Sequence, residues 1–232
     1  TGTDFFTSLF NHAASNAWSL HEPKPAFRSK AGRLMRGDFN TYDVLYFRWP
    51  RQWRNRGSNK AWYVETNYHL FAAVPLIRKA FPGAKVVHIV RDGRHVVTSW
   101  LNRYRYITNN HILPEQIGDE AAAYKWPQWN PLQKLSWYWK TVNRHVQQTP
   151  PDHIVRFEDV FMPPEQSQVF DLLEAFKGLD YDKEQVAGQL GRPVNRNKQE
   201  FFPKYAEWPE RWKEQFWEIA GDTMHAFGYT ES

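Results

Sequence analysis

An arginine and a serine eight residues apart are the first residues in this sequence that could do chemistry together. Arg91 directly follows the apolar run 86–90, and Ser99 lies on the stretch after it, which has a helical pattern. Ligands of open α/β sheets bind at the carboxyl ends of the strands. A guanidinium at a strand end and a hydroxyl on the next helix can therefore hold one phosphate together. The alternative is an ion pair of Arg91 with a neighbouring acid and a capping or solvated Ser99, and these residues alone leave both open.

Three carboxylates stand at or just after the ends of other extended runs: Glu22, Glu65 and Glu158. Parallel strands bring their carboxyl ends to one rim, so Glu65 is expected on the same rim as Arg91. A partly buried carboxylate beside an acceptor hydroxyl is what general-base catalysis needs. His69 is a second candidate, although it falls on the following helix, where a capping or surface role competes. We expect Glu22 to organise neighbouring loops and Glu158 to brace backbone amides or an arginine.

Short β-like runs alternate with helical stretches, which favours a parallel sheet covered on both faces. The predicted strands are 17–21, 61–65, 86–90 and 153–157. Helices are predicted over 4–15, 68–81, 165–176 and 210–227, with another that starts at residue 130. The segments 28–60 and 103–129 have poor periodicity and are predicted to be long loops or short helices. The fold class is therefore α/β, with a central parallel sheet flanked by helices, in a single domain over residues 1–232.

Composition narrows the class of protein further. The 30 Lys and Arg residues exceed the 25 Asp and Glu residues, and the resulting net charge of +5 suits an anionic ligand without identifying one. No apolar run approaches the roughly 18 residues of a membrane span. Cysteine is absent, which excludes thiol chemistry and, with no signal-peptide pattern, favours a cytoplasmic location. The nine histidines show no metal-ligand spacing, so no metal site is expected.

One segment is unusually rich in arginine and aromatic residues. Residues 46–60 interleave four arginines with tyrosine, phenylalanine and tryptophan. This composition suits carbohydrate stacking, an anionic acceptor or single-stranded nucleic acid. Nucleic acid is the weakest of the three because no known binding module surrounds the segment, and no nucleic-acid partner is expected.

Several stretches resemble the PAPS-dependent sulfotransferases, in the order in which that family carries them. KVVHIVRDGRHVVTSW at 85–100 is similar to the strand and helix that bind the 3′-phosphate of PAPS. TGTDFF at 1–6 resembles the end of the phosphosulfate loop, and HIVRFEDV at 153–160 resembles a later strand with an E-D-L signature. The ending FGY at 227–229 resembles a frequent family terminus. The resemblance covers nearly the whole chain.

This resemblance implies a three-layer, P-loop-like α/β fold with PAPS as co-substrate and PAP as product. It implies that Arg91 and Ser99 bind the 3′-phosphate and that a basic loop with Arg196 and Arg192 covers it. A glycine-containing loop that enters a helix presents amides and the positive end of the helix dipole to anions. The residues expected to bind PAPS there are Thr1, Gly2, Thr3, Asp4, Phe5 and Phe6. Glu65 is the expected base, with His69 as the alternative, because members of the family use either type in this segment.

The start of the chain departs from the family pattern. The phosphosulfate loop should follow a strand and a Lys or Arg upstream of Thr1, so the domain is predicted to be N-terminally truncated there. Asp4 stands where the family usually has Thr, and its carboxylate would repel a sulfate unless it points away, for example to cap the helix. Gly93 and His95 replace a Pro and an Asp, which are milder changes.

The sequence therefore predicts a sulfotransferase that moves a sulfuryl group from PAPS to a hydroxyl or amine of a small-molecule, carbohydrate or lipid acceptor. Two alternatives stay open. A nucleotide kinase or NTPase also begins with a Gly-rich phosphate loop, although the full G-x-x-x-x-G-K-[ST] pattern is absent. A non-catalytic glycan-binding domain would account for the Trp-rich loops and would give Arg91 no role.

Overall fold

The computed structural model describes residues 2–24, 27–103, 112–161, 168–190 and 201–231. Its strands are β1 (Ala17–His21), β2 (Trp62–Thr66), β3 (Val87–Val90) and β4 (His153–Arg156). Its α-helices are α1 (Thr3–Ala13), α2 (Ala31–Met35), α3 (Thr41–Ser58), α4 (Val74–Ala80), α5 (Gly93–Leu101), α6 (Pro114–Ile117), α7 (Glu120–Lys125), α8 (Pro131–Gln148), α9 (Phe157–Phe161), α10 (Gln168–Glu174), α11 (Lys183–Gln189) and α12 (Glu210–Ala226). Short 3₁₀ helices span Arg28–Lys30, Tyr68–Ala73 and Tyr205–Glu207. The predicted α/β class is confirmed.

The strands lie in two parallel pairs. β1 pairs with β2, with Ala17 opposite Trp62, and β3 pairs with β4, with Val87 opposite His153. Within the described ranges the two pairs are not hydrogen-bonded to each other. The four predicted strands are therefore present within one residue of their expected bounds, but they form two narrow sheets instead of one continuous sheet.

Helices cover both faces of the strands, as a layered α/β fold requires. Val87 and Ile89 pack against the apolar core built around α1, whereas Val90 belongs to the core built around α8. Because successive side chains of a strand point to opposite faces, β3 lies between two helical layers. No helix in the described part of the chain is long and apolar enough to cross a membrane.

A cavity of about 760 Å³ separates the two strand pairs. One wall is β2, and the facing wall includes residues 86–89 of the β3 segment; helices α1, α3, α4 and α8 contribute to its lining. The amide of Trp62 donates to the Asn16 carbonyl, and the Thr66 carbonyl accepts from the Glu22 amide, both at 3.0 Å. Since backbone groups alternate along a strand, the amides of the intervening odd-numbered residues of β2 point away from β1.

The helix α3 corrects the expectation for segment 28–60, which contains one helix of 18 residues. Its start is fixed by a capping box, in which Asn40 accepts from the Asp43 amide and the Asp43 carboxylate accepts from the Asn40 amide. The sequence pattern hid this helix because apolar residues lie on two opposite sides of it, so no single stripe stands out. Pro50, inside the helix, added a false break.

Segment 68–81 also differs from its prediction as one continuous helix. A 3₁₀ helix runs to Ala73, and α4 starts at Val74 with Pro75 in its first turn. Proline has no amide to donate, which suits the start of a helix and disfavours its interior. The helices expected from residues 130 and 210 are α8 and α12. Residues 165–167 of another predicted helix lie outside the described ranges.

Candidate functional site

The carboxyl ends of both strand pairs converge on the N-terminus of α1. The hydroxyl of Thr66, the last residue of β2, hydrogen-bonds the hydroxyl of Thr7 on α1. On the other side, the ring of Phe157, which follows β4, would lie 3.2 Å from a Cβ atom placed on Gly2. The rim expected from the sequence therefore exists, and the start of α1 stands between its two halves.

Gly2 is the N-cap of α1 and needs to be glycine for two reasons. Its φ is +75°, in the left-handed region that side chains disfavour. The ring of Phe157 also leaves no room for a Cβ atom without a shift of a few tenths of an ångström. No side chain therefore covers the backbone at this helix start. The amides in the first turn of a helix have no acceptor within the helix.

Not every backbone amide in the segment predicted to bind PAPS is available for an anion. The amide of Phe6 donates to the Gly2 carbonyl at 3.1 Å, so it is already used inside the helix. The side chains of Phe5 and Phe6 are buried and pack edge-on against Phe161, which makes them core residues. The Phe6 amide is therefore already used, although Phe6 itself lines the cavity between the strand pairs. Thr1 lies outside the described residues.

Asp4 turns toward the end of β1. Its carboxylate Oδ1 lies 3.0 Å from His21 Nε2, and the other ring nitrogen of His21 lies 3.4 Å from the Thr66 hydroxyl. The N-cap position of α1 is occupied by Gly2, and no side-chain hydrogen bond caps this helix. Asp4 is therefore not the N-cap residue that the sequence suggested. The partner that draws its carboxylate aside is His21, which sequence reasoning had not singled out.

Arg91 lies at the end of β3 with its guanidinium stacked on an aromatic ring. The guanidinium carbon is 4.5 Å from the centre of the Phe157 ring. Its Nε is buried and has no hydrogen-bond partner among the described residues. Burial lowers the pKa of Arg91 from its usual value, against the opposing fields of Glu158, Asp92 and Tyr229. Phe157 thus connects this cation to the start of α1.

The acids near Arg91 are engaged by other groups. Asp92 caps α5, accepting from the Arg94 amide at 2.8 Å, and also binds the Arg94 guanidinium at 2.7 Å. Glu158 accepts from the Asp92 amide at 3.1 Å and from the Tyr229 hydroxyl at 2.6 Å. The simple ion-pair explanation of Arg91 therefore does not hold within the described residues. The bracing role expected of Glu158 is confirmed, and Tyr229 is a partner that the sequence did not reveal.

The helix after Arg91 carries Ser99 as expected. Ser99 lies on α5 and is half-buried, and no described residue hydrogen-bonds its hydroxyl. Gly93, at the start of α5, allows close packing, because a Cβ atom there would lie 2.9 Å from the Trp139 ring. The indole of Trp139 donates to the Arg91 carbonyl at 3.2 Å, which fixes the backbone on which the guanidinium is mounted.

Glu65 is held by a residue of α3 that sequence reasoning missed. Arg51 donates to its carboxylate through Nε at 2.6 Å and through a terminal nitrogen at 2.8 Å. Asn67 adds a third bond at 3.0 Å. The side chains of Arg51 and Glu65 are only 3% and 9% exposed, so this is a buried, bidentate ion pair. Only the helical conformation of 41–58 brings Arg51 to this rim, and no local pattern indicated this contact.

A second group of side chains lies at the rim beside Glu65. His69 Nε2 is 3.7 Å from a carboxylate oxygen of Glu22, and His21 Nε2 is 3.9 Å from its other oxygen. Glu22 has a φ of +44°, an uncommon value for a residue with a side chain and one that is frequent near functional sites. The organising role expected of Glu22 agrees with these contacts. No described group of three or more His, Asp or Glu residues has the arrangement of a metal site.

Some of the predicted site residues line the cavity between the strand pairs. Thr3, Glu65 and Arg91 all line it, so the helix start, the expected base and the expected phosphate-binding cation share one space. His69 and Ser99 do not line it. Arg192 and Arg196 lie outside the described residues, so the loop expected to cover the phosphate stays a prediction.

Comparison with known proteins supports this picture. A family model with the description sulfotransferase family matches residues 10–183. That match covers Glu65, Arg91, Ser99 and all four strands. The chain therefore belongs to the sulfotransferase family. No curated protein and no solved structure matches it significantly.

Proposed function

We propose that this protein transfers the sulfuryl group of PAPS to an acceptor hydroxyl or amine. The observation that carries the proposal is Arg91, a cation at a strand end whose buried Nε has no partner in the described structure. A buried polar group without a hydrogen bond is costly, and a phosphate oxygen is the partner that suits a guanidinium best. Arg91, with Ser99 on the next helix, would hold the 3′-phosphate, and bound PAPS would supply the sulfuryl group.

The start of α1 is proposed to hold the phosphosulfate oxygens. The amides of Thr3, Asp4 and Phe5 belong to the first turn, where the helix dipole favours negative charge. The bare Gly2 lets an anion approach this turn closely. The contact of Asp4 with His21 supports the same proposal, because it draws the carboxylate toward a histidine at the end of β1.

Glu65 is proposed as the base that accepts the acceptor's proton. A carboxylate has about four lone-pair positions, and Arg51 and Asn67 fill three of them, two on Oε1 and one on Oε2. The remaining position is on Oε2, so this atom is the proposed proton acceptor. Arg51 keeps the carboxylate fixed in orientation, and a positioned base of this kind contributes about 10²- to 10⁴-fold to a reaction rate.

His69 is the second candidate for the base. It lies 3.7 Å from a Glu22 oxygen, and such a carboxylate would orient a histidine ring. Glu65 is preferred because it lines the same cavity as Arg91, whereas His69 does not. Comparing the Glu65→Gln and His69→Ala variants in a sulfuryl-transfer assay separates the two.

We also propose that one more parallel strand fills the cavity between β2 and β3. Each of these strands is paired on one side only within the described residues. Buried backbone groups require partners, and an extended segment between the two inner edges would supply them. An added N-terminal segment of about 10 to 15 residues is long enough for a strand and a loop with a Lys or Arg, and it should raise the melting temperature and the transfer rate. If neither the melting temperature nor the transfer rate increases, this part of the proposal is wrong.

A thermal-shift comparison of PAP, PAPS, ATP and AMP tests the donor. A clear preference for PAP and PAPS is expected, because AMP and ATP lack the 3′-phosphate assigned to Arg91. Preferential stabilisation by ATP with magnesium would favour the nucleotide kinase or NTPase alternative. Sugar binding that is insensitive to PAP would favour the glycan-binding alternative. The acceptor class and the cytoplasmic location expected from the sequence stay predictions.

A further inference from the structure

Helix α3 presents a row of aromatic side chains to solvent. We call Tyr42, Tyr46, Trp49 and Trp53 the aromatic stripe; their exposed fractions are 70%, 46%, 64% and 81%. Their spacing of four, three and four residues places them on one side of a helix. Residues separated by 11 positions on a helix are about 16 Å apart along its axis. The stripe is therefore a continuous row and not a set of scattered exposed residues.

The stripe lies on the outer side of α3, and only the ring of Tyr46 among its members also contacts Phe27, at 5.8 Å, within the described residues. Val44, Phe47 and Arg51 are buried on α3, and at 100° per residue they lie on the side of the helix opposite the stripe. Tyr42 and Tyr46 stack on each other with nearly parallel rings, 6.2 Å apart. Exposed apolar surface of this extent is uncommon on a protein that functions without a partner there. The cavity between the strand pairs is lined by Phe47 and Arg51, on the other side of α3, so the stripe is a separate surface.

The exposed part of α3 is also cationic. Arg56 is exposed on this helix beside the stripe, and Lys30 Nζ lies 5.6 Å from the centre of the Tyr46 ring. The only acidic residue of α3 is Asp43, which is buried and bound to Lys30 and Arg33 at 2.9 Å. The face that carries the stripe therefore combines aromatic rings with positive charge and offers no carboxylate.

We propose that the aromatic stripe docks the protein on the surface of an anionic lipid bilayer. Tryptophan and tyrosine favour the membrane interface, where the ring is apolar and the polar atom stays hydrated. Cations beside them are attracted to anionic headgroups. The four rings lie on one side of the helix, so a flat partner can contact them together. Glycans and single-stranded nucleic acids are typically held in grooves, whereas the stripe lies on the outer side of a helix.

Vesicle co-sedimentation of the whole chain tests this proposal, independently of the sulfuryl-transfer reaction. The probes are vesicles of phosphatidylcholine mixed with phosphatidylserine and vesicles of phosphatidylcholine alone. We expect binding to the mixed vesicles and roughly tenfold or greater weakening in the Trp49→Ser/Trp53→Ser variant. The Arg56→Gln variant should bind the mixed vesicles about fivefold more weakly, as expected for one lost cation.

The matched control removes exposed aromatic residues elsewhere. Tyr124 and Phe201 are 83% and 78% exposed and lie outside α3, so Tyr124→Ser/Phe201→Ser should bind like the unmodified protein. Unchanged melting temperatures would show that all variants are folded. The proposal is overturned if the Trp49→Ser/Trp53→Ser variant binds mixed vesicles as tightly as the unmodified protein does. It is also overturned if the unmodified protein does not bind mixed vesicles. Heparin or oligothymidylate binding that depends on these tryptophans, without vesicle binding, would overturn it in favour of a polyanion.

Discussion

Replacing Arg91 with alanine should weaken PAP binding without weakening the fold. In the ligand-free protein the guanidinium is partly buried, stacks on Phe157 at 4.5 Å, and has an Nε with no described hydrogen-bond partner. Its removal costs a cation–π contact of about 0.5 to 2 kcal/mol and relieves a desolvation penalty of similar size. The free energy of unfolding without ligand should therefore change by less than about 1 kcal/mol.

The effect on PAP should be much larger, because the phosphate would lose its charge-assisted bonds. A loss of about 1.5 to 3 kcal/mol corresponds to an increase of about 10- to 150-fold in the Kd of PAP. Isothermal titration calorimetry of PAP measures this directly, and denaturant unfolding measures the stability. Arg78→Ala is the matched control: Arg78 pairs with Asp152 at 2.9 Å, next to the start of β4 and away from the rim. It should leave the affinity for PAP unchanged.

Two results would refute this reasoning. An unchanged Kd for PAP in folded Arg91→Ala protein would show that Arg91 does not bind the phosphate. A large loss of stability without ligand would show that Arg91 is a structural residue whose charge is already compensated. An Arg91→Lys variant with intermediate affinity would agree with the proposal, because lysine keeps the charge but loses the planar, bidentate geometry.

Three further predictions concern the rim and the strands. Glu65→Gln should keep the PAP affinity and lose about 10²- to 10⁴-fold in turnover; if His69→Ala abolishes transfer and Glu65→Gln does not, His69 is the base. Arg51→Ala should cost about 3 to 5 kcal/mol in urea unfolding, because it leaves the Glu65 carboxylate buried and unpaired, and a loss below about 1 kcal/mol would contradict the buried ion pair. Burial lowers the pKa of His88 from 6.5 to about 4, against its hydrogen bond with Asn143. Between pH 6.5 and pH 4 the unfolded chain therefore binds more protons at His88 than the folded protein does, so the free energy of unfolding should fall by about 3 kcal/mol from pH 7 to pH 4. If a His88→Gln variant shows the same pH dependence of the free energy of unfolding, His88 is not its cause.

The sequence was sufficient wherever a pattern is local. Strand β3 was predictable because a run of apolar residues ends at Arg91, and α8 because Asn130 and Pro131 form a start signal. The rim position of Arg91 and Glu65 followed from a general property of parallel strands. Each of these inferences depends on residues that are neighbours in the chain, or on a rule that holds for every sheet of this class.

Helix α3 shows where local patterns fail. Its outer aromatic residues, such as Trp49 and Trp53, are as apolar as the inner Phe47, so hydrophobicity does not identify the buried side. Only the packing of Phe47 and its neighbours against the rest of the protein distinguishes the two sides. The same packing directs Arg51 inward, which is why its bond to Glu65 was invisible in the sequence.

The residue types at the rim were thus determined by the sequence, and their pairing was decided by the tertiary structure. The sequence placed an arginine and two acids near the ends of β3 and β4, at positions 91, 92 and 158. It could not indicate that Asp92 would bind Arg94 or that Glu158 would bind Tyr229, which leaves Arg91 stacked on Phe157. Tyr229 and Phe157 come from distant parts of the chain, and charge pairing depends on distances that only the folded chain sets.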